Sequence, residues 1–194
     1  MQSVCVYCGS SYGTRSEYKA GAQALGQAMA ERDIALIYGG GRVGLMGTIA
    51  DAILAAGGRA IGVIPQLLVD KEVAHTGLTA LHVVPDMHVR KKKMADLAEG
   101  FIAMPGGGGT LEELFEVFTW AQLGYHDKPM GLLNIAGFYD PLVTMLQHTA
   151  DEGFIRPAYL DLLQSHHDPA ALLNALHMRG RVKQDKWADG RNAV

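Results

Sequence analysis

The chain has 194 residues, of which 24 are glycine, and 48% of its residues are hydrophobic. The glycine content exceeds the usual value of about 7% but has no period, and the hydrophobic fraction is too high for disorder, which excludes a collagen-like fibre and a disordered linker. Seventeen basic and twenty acidic residues give a formal net charge of −3, which argues against nucleic acid and an anionic membrane as partners.

Short apolar runs alternate with amphipathic segments of helical length along the chain. Six strands are predicted, at residues 3–7, 34–38, 60–64, 80–84, 100–103 and 130–133. Six helices are predicted at residues 16–32, 44–56, 88–98, 110–123, 139–152 and 169–178. The last of them has Asp168 as a cap and Pro169 at its first position.

This order of elements predicts an α/β fold, a Rossmann-like three-layer αβα sandwich with a mainly parallel sheet. We expect a single domain over residues 1–178 and a flexible C-terminal tail over residues 179–194, which is basic and has little apolar periodicity. The irregular stretch 65–79 is long for a compact domain, so it is either functional or contains a short helix.

The beginning of the chain indicates the compartment. It has neither the basic n-region nor the cleavage site of a signal peptide, and no apolar run approaches the ~18 residues of a membrane span. Cys5 and Cys8 have CxxC spacing, but they lie in a strand-like run, where residues i and i+3 point to opposite faces. We therefore predict a cytoplasmic protein with no metal, whose cysteines are buried rather than a redox or zinc pair.

Three glycine-rich loops follow predicted strands, at residues 8–11, 39–47 and 105–113. Ligands bind at the carboxyl ends of strands in such sheets, so Gly9, Ser10, Gly40 and Gly41 are candidates for contact with phosphate or ribose. Residues 39–44 fit GxGxxG, but this motif follows the second strand and lacks the acidic residue that would hold a ribose hydroxyl. This argues against a dinucleotide site and leaves a phosphate loop or a tight structural turn.

The loop at 105–113 contains four consecutive glycines before a helix with an acidic first turn. One interpretation is a capping box, in which Thr110 caps the helix and Glu113 completes the cap. The other is a phosphate or sugar cradle with the Glu113 carboxylate fixed one turn beyond it. The basic run 90–93 begins near a helix start, where the dipole disfavours cations, so a ligand anion or a carboxylate would explain Arg90 and Lys91, whereas Lys92 and Lys93 are expected to be solvated.

Together these segments resemble the Lonely Guy family of cytokinin riboside 5′-monophosphate phosphoribohydrolases, long labelled lysine decarboxylase-like. The family motif PGGxGTxxE matches residues 105–113 at every fixed position, and an Arg-Lys pair follows Met87 and His88 as it does in the family. The likeness extends from about residue 2 to about residue 155.

The resemblance implies hydrolysis of the N-glycosidic bond of an N6-modified AMP, by a homodimer without a cofactor. It implies Arg90 and Glu113 as the catalytic pair. It also implies a nucleotide site lined by Glu72, Lys91, Gly107, Gly108, Gly109, Thr110, Leu111, Glu112 and Thr119. The many apolar residues of the helix at 110–123 favour a partner subunit, although a two-sided contact within the chain's own core also explains them.

Three alternatives remain at this point. A lysine decarboxylase would need pyridoxal phosphate on a Schiff-base lysine, for which Lys128 and Lys91 are the candidates. A non-catalytic nucleotide-binding module is the second. The third is a general AMP nucleosidase that does not read the N6 group.

Overall fold

The structure is a computed structural model, and it describes residues 1–71 and 73–180. One sheet of seven parallel strands runs through it in the order β4-β3-β2-β1-β5-β6-β7. The strands are β1 (Ser3–Tyr7), β2 (Ala35–Tyr38), β3 (Ala60–Pro65), β4 (Ala80–Val84), β5 (Phe101–Ala103), β6 (Met130–Leu133) and β7 (Leu163–His166).

Helices cover both faces of the sheet, which confirms the predicted three-layer α/β fold. The helices are α1 (Ser16–Ala30), α2 (Gly44–Ala55), α3 (Gln66–Asp70), α4 (Met87–Leu97), α5 (Gly108–Gln122), α6 (Asp140–Asp151) and α7 (Pro169–Arg179). Helices α1, α2 and α7 share one core cluster with the sheet, and α4, α5 and α6 share a second. Two 3-10 helices lie at Ile135–Gly137 and Pro157–Leu162.

The predicted strands and long helices are confirmed, with ends that differ by one or two residues. The prediction missed β7, whose sequence is partly polar because it pairs only with β6 at the sheet edge. A short helix, α3, lies inside the irregular stretch 65–79. The Asp168 cap is confirmed, since its Oδ1 accepts the N–H of Ala171 at 2.7 Å. The tail predicted over residues 179–194 begins too early, since Arg179 is the last residue of α7. Its part from residue 181 onward lies outside the described residues.

The two cysteines are free and buried. Cys5 faces the core cluster of α4 and α5, whereas Cys8 faces the cluster of α1 and α2. Burial raises the pKa of both thiols well above its usual value, so neither thiol has the reactivity of a redox pair.

The order of the strands reverses direction at β1 and β5. From β1 the chain moves outward through β2 to β4, and from β5 it moves the other way through β6 to β7. Ligands in open α/β sheets bind in the crevice at such a switch point. The fold therefore places the loops after β1 and β5 at the position expected for a site.

Candidate active site

A cavity of about 940 Å³ opens at the carboxyl ends of β1, β2, β3 and β5. Backbone and polar side chains form one part of its lining, namely Cys8, Gly9, Ser10, Gly39, Gly41, Gly107, Gly108, Gly109, Thr110, Glu112, Glu113 and Arg90. Apolar side chains form the other part, namely Val43, Met46, Ile64, Leu68, Val73 and Met87. The cavity thus has a polar floor and an apolar wall.

The loop after β1 packs directly against the other two glycine-rich loops at the floor. Gly9 donates its N–H to the Pro105 carbonyl at 3.1 Å, and its own carbonyl accepts the N–H of Leu45 at 3.0 Å. A Cβ at Gly44 would overlap the backbone of Ser10. These glycines are required by the close approach of the loops.

Gly107, Gly108 and Gly109 have a different reason to be glycine. A Cβ added at any of the three would meet no other atom of the described chain within 4 Å. None of them has a positive φ, and Gly108 and Gly109 form the first turn of α5, where glycine is entropically costly. They line the cavity, so internal packing does not account for them.

The capping-box interpretation of Thr110 and Glu113 is wrong. Helix α5 begins at Gly108 with Gly107 as its N-cap, and no side chain caps it. Thr110 therefore lies within the first turn and is buried. The carboxyl of Glu113 turns toward Arg90 instead of toward the helix start. The helix begins two residues earlier than predicted because the glycines themselves form its first turn.

Arg90 extends from the first turn of α4 under the glycine loop after β2. Asp86 begins this helix by accepting the N–H of Val89 at 2.9 Å. Arg90 is 9% exposed; its Nε donates to the Val63 carbonyl at 3.0 Å and its Nη2 to the Gly39 carbonyl at 3.1 Å. A Cβ at Gly39 would overlap the guanidinium, so this glycine makes room for the arginine.

Glu113 faces the same guanidinium from α5. Its Oε1 lies 3.6 Å from Nη1 of Arg90, and its side chain is 14% exposed. Burial raises the pKa of this carboxyl to about 7, against which the charge of Arg90 acts only in part. A carboxyl with that pKa is divided between acid and base at neutral pH, which suits proton transfer.

Lys91 lies beside this pair but is engaged elsewhere. Its Nζ contacts Oε1 of Glu112 and lies 3.1 Å from Oε1 of Glu116. The hydrogen bond to Glu112 is the main reason that the pKa of Lys91 is raised. The ion pairs join α4 to α5, and Lys91 does not line the cavity. These contacts agree with the prediction that a ligand anion or a carboxylate would explain Arg90 and Lys91.

Some residues of the predicted site lie away from the cavity. Leu111 packs into the core cluster on the other side of α5, and Thr119 is exposed further along that helix. Gly40 turns away with φ +72, and its carbonyl accepts the N–H of His75. Glu72 lies outside the described residues.

The apolar wall was not predicted from the sequence. Its six side chains come from α2, β3, α3, α4 and two loops, so no local pattern groups them. The one available signal was the apolar run Leu67, Leu68 and Val69 inside the irregular stretch 65–79.

The described part of the chain contains neither a metal-binding cluster of side chains nor a helix able to span a membrane. Residues 1–71 and 73–180 contain no group of three or more His, Cys, Asp or Glu side chains arranged to hold a metal ion. Among the same residues, no helix has the length and apolar character needed to cross a membrane.

Sequence comparisons identify close relatives of the chain. A family described as "possible lysine decarboxylase" matches residues 46–176. A cytokinin riboside 5′-monophosphate phosphoribohydrolase of Arabidopsis thaliana is 47% identical over 95% of this chain and 83% of its own length. One from Rhodococcoides fascians is 52% identical over 81% of this chain and 80% of its own length.

Structural comparisons identify the same fold at lower identity. The molybdenum cofactor carrier protein of Chlamydomonas reinhardtii aligns with a TM-score of 0.68 and 22% identity, over 91% of this chain and 95% of that protein. A molybdenum cofactor binding protein of Rippkaea orientalis aligns with a TM-score of 0.70 and 19% identity, over 91% and 96%. At these identities the likeness concerns the fold alone.

Proposed function

Because the chain belongs to the Lonely Guy family, we propose that it hydrolyses cytokinin riboside 5′-monophosphate to the free base and ribose 5-phosphate. The observation that carries this proposal is the ion pair of Glu113 and Arg90, buried at the floor of a nucleotide-sized cavity. The names of the relatives supply the substrate, and the ion pair supplies groups able to cleave it.

The Glu113 carboxylate serves the chemistry of glycosidic cleavage. As the bond from C1′ to the base nitrogen breaks, the ribose gains oxocarbenium character, which a nearby carboxylate stabilises. The same carboxylate accepts a proton from the attacking water, whose hydroxyl adds to C1′. The departing base leaves with the bonding electron pair and takes up one proton from solvent, and Glu113 afterwards returns its proton to solvent. Arg90 holds the carboxylate in place and favours its ionised form.

The 5′-phosphate is assigned to the first turn of α5. The N–H groups at the start of this helix have no partners within it, and the helix dipole favours an anion there. Gly107, Gly108 and Gly109 leave this backbone open. Gly9, Ser10 and Gly41 line the same floor and are assigned to ribose and phosphate. Fixing the phosphate one turn from Glu113 positions the scissile bond.

The apolar wall favours a substrate with an apolar N6 group. A plain adenine edge carries an amino group that would prefer polar partners, whereas an isoprenoid chain gains roughly 25 cal/mol per Å² of apolar surface that it buries. Leu68, Val73 and Met87 offer such a surface. A general AMP nucleosidase would need such a surface only for the faces of the adenine ring.

Incubation with AMP and with N6-isopentenyl-AMP tests the proposal, with the released base separated by chromatography. We expect isopentenyladenine to be released faster than adenine. Equal rates would identify a general AMP nucleosidase. Binding of both nucleotides without cleavage of either would identify a non-catalytic binding module.

The lysines do not favour decarboxylase chemistry. A Schiff-base lysine must be deprotonated to attack an aldehyde, which a lowered pKa assists. The carboxylates of Glu112 and Glu116 instead raise the pKa of Lys91. Lys128 donates to the Ala95 carbonyl at 2.7 Å and lines a separate cavity with Phe101, at the start of β5. An absorbance band of bound pyridoxal phosphate in the purified protein would contradict this view.

A homodimer in the cytoplasm completes the proposal. Much of the apolar surface of α5 is used inside the chain, since Leu114 and Phe118 are buried. Phe115 on α5 and Val89 on α4 remain about 40% exposed and would be available to a second copy. Light scattering coupled to gel filtration should give twice the mass of one chain, and a monomer would contradict the dimer.

A further inference from the structure

The segment after α3 is attached to the glycine loop after β2. An antiparallel bridge joins them, and two backbone hydrogen bonds flank it. Arg42 donates its N–H to the Val73 carbonyl, and His75 donates its N–H to the Gly40 carbonyl, both at 2.9 Å. We call residues 73–77 the strap.

The imidazole of His75 holds the strap from its other side. Nε2 lies 2.9 Å from Oδ1 of Asp51 on α2, and Nδ1 accepts the N–H of Gly77 at 3.0 Å. Because Nδ1 accepts, the proton is assigned to Nε2, which donates to the carboxylate. The His75 side chain is 12% exposed although Asp51 is 73% exposed, so the ring is packed rather than solvated.

The strap reaches the cavity through Val73. This residue lines the apolar wall together with Leu68, to whose carbonyl it donates its N–H at 3.4 Å. Gly41, in the loop that the strap binds, lines the cavity as well. The side chain of His75, which does not line the cavity, thus connects Val73 of the wall and Gly41 of the floor to α2.

We propose that His75, acting through Asp51, is a positioning residue of the substrate site. This inference rests on the proposed function, because its kinetic test measures hydrolysis of the proposed substrate. The contact of His75 with Asp51 holds the strap in place against the glycine loop, so its loss frees the wall and weakens substrate binding. The chemical step is retained, because the bonds of Arg90 to Glu113, Gly39 and Val63 do not involve the strap.

Steady-state kinetics with N6-isopentenyl-AMP test this role. For His75→Ala we expect KM to rise about fivefold, the equivalent of one net hydrogen bond, with kcat within about twofold of the unsubstituted enzyme. Asp51→Ala should have the same effect, and the double variant should be no worse than either one, because the two side chains act as a unit. Asp51→Asn keeps an oxygen acceptor and should retain a KM near that of the unsubstituted enzyme.

Hydrogen exchange supplies a second readout. The backbone amides of Arg42 and of position 75 should exchange faster in His75→Ala, while those in the centre of α5 stay unchanged. His148→Ala, at an exposed position on α6, is the matched control and should alter neither KM nor exchange.

Three results would overturn the inference: an unchanged KM in His75→Ala, a loss confined to kcat, or additive effects in the double variant. If the unsubstituted protein binds nucleotides without cleaving them, the proposed function fails. The inference is then decided by the dissociation constant for N6-isopentenyl-AMP, which should rise about fivefold in His75→Ala.

Discussion

At the scale of a single residue, two opposing effects act on the protonation of the Glu113 carboxyl. Burial favours its neutral acid form, and the Arg90 guanidinium at 3.6 Å favours the carboxylate. Burial prevails and brings the pKa to about 7. Small changes of pH near neutrality therefore change how much of the protein carries the base form.

Glu113→Gln removes the base but preserves the shape of the side chain. We expect kcat to fall by about 10²–10⁴-fold, the usual contribution of general acid–base catalysis, while the affinity for ribose 5-phosphate stays within about twofold because the phosphate contacts are backbone groups. Calorimetric titration and single-turnover kinetics would measure both. Glu116→Gln, one turn further along α5, is the control and should keep most of the activity. A Glu113→Gln enzyme with near-normal turnover would contradict the assignment.

Gly39→Ala tests the space that the chain leaves for Arg90. The added methyl group would overlap Nη2 of the guanidinium, so this nitrogen must leave its bond to the Gly39 carbonyl. We expect kcat/KM to drop at least tenfold, since displacement of a positioning group by about 1 Å is enough for such losses. A crystal structure of the variant should show the shifted side chain, and an unmoved Arg90 would refute the steric argument.

At the scale of one element, a substitution in the first turn of α5 should change stability and ligand affinity in opposite directions. Gly109→Ala adds a Cβ that meets no atom of the described chain, and alanine is the better helix former. The free energy of unfolding should rise by about 0.5–1 kcal/mol, while nucleotide affinity falls because the methyl group projects toward the cavity. Denaturant titration and calorimetry measure the two effects. Equal affinity in the variant and the parent would show that no ligand approaches this backbone.

The elements also show how far the sequence alone could lead. The apolar strands β1 and β2 and the long helices were predictable because buried parallel strands and amphipathic helices have distinct periods. Strand β7 was not, since Gln164 and Ser165 lack that apolar signal and pair only at an edge. The start of α5 was misplaced because propensity disfavours glycine in helices, whereas the open cavity accounts for it here.

The candidate site was predictable only in its motif residues. Arg90 and Glu113 come from segments with a recognisable pattern, and the fold brings them together. Leu111 and Thr119 share a helix with Glu113, but its rotation turns them to other faces, which a linear motif does not express. The wall formed by Leu68, Val73 and Met87 depends on tertiary contacts among three separate segments.

For the whole molecule, the buried carboxyl makes stability depend on pH. The folded protein holds the Glu113 proton more tightly than the unfolded chain, because its pKa is about 7 against an ordinary value of 4.5. The protonated carboxyl stabilises the folded protein. This contribution to the free energy of unfolding is fully present below about pH 4.5 and is lost as the pH rises through about 7. The loss amounts to about 3 kcal/mol for a shift of this size.

Thermal or urea unfolding between pH 5 and pH 8 would measure this dependence. The Glu113→Gln variant should lack this pH dependence and should be more stable than the parent at pH 8, because its neutral amide resembles the protonated acid. Parallel stability curves for the two proteins would show that the carboxyl is not perturbed.

The bonds of Arg90 have a consequence for how the protein folds. This one side chain connects carbonyls at positions 39 and 63 and a carboxylate at position 113, so the reacting groups meet only after strands far apart in sequence have paired in parallel. Such non-local pairings form slowly because loop closure must precede them. Activity should therefore return with the slowest phase of refolding, and a fragment that ends before α5 should recover helical content without catalysis.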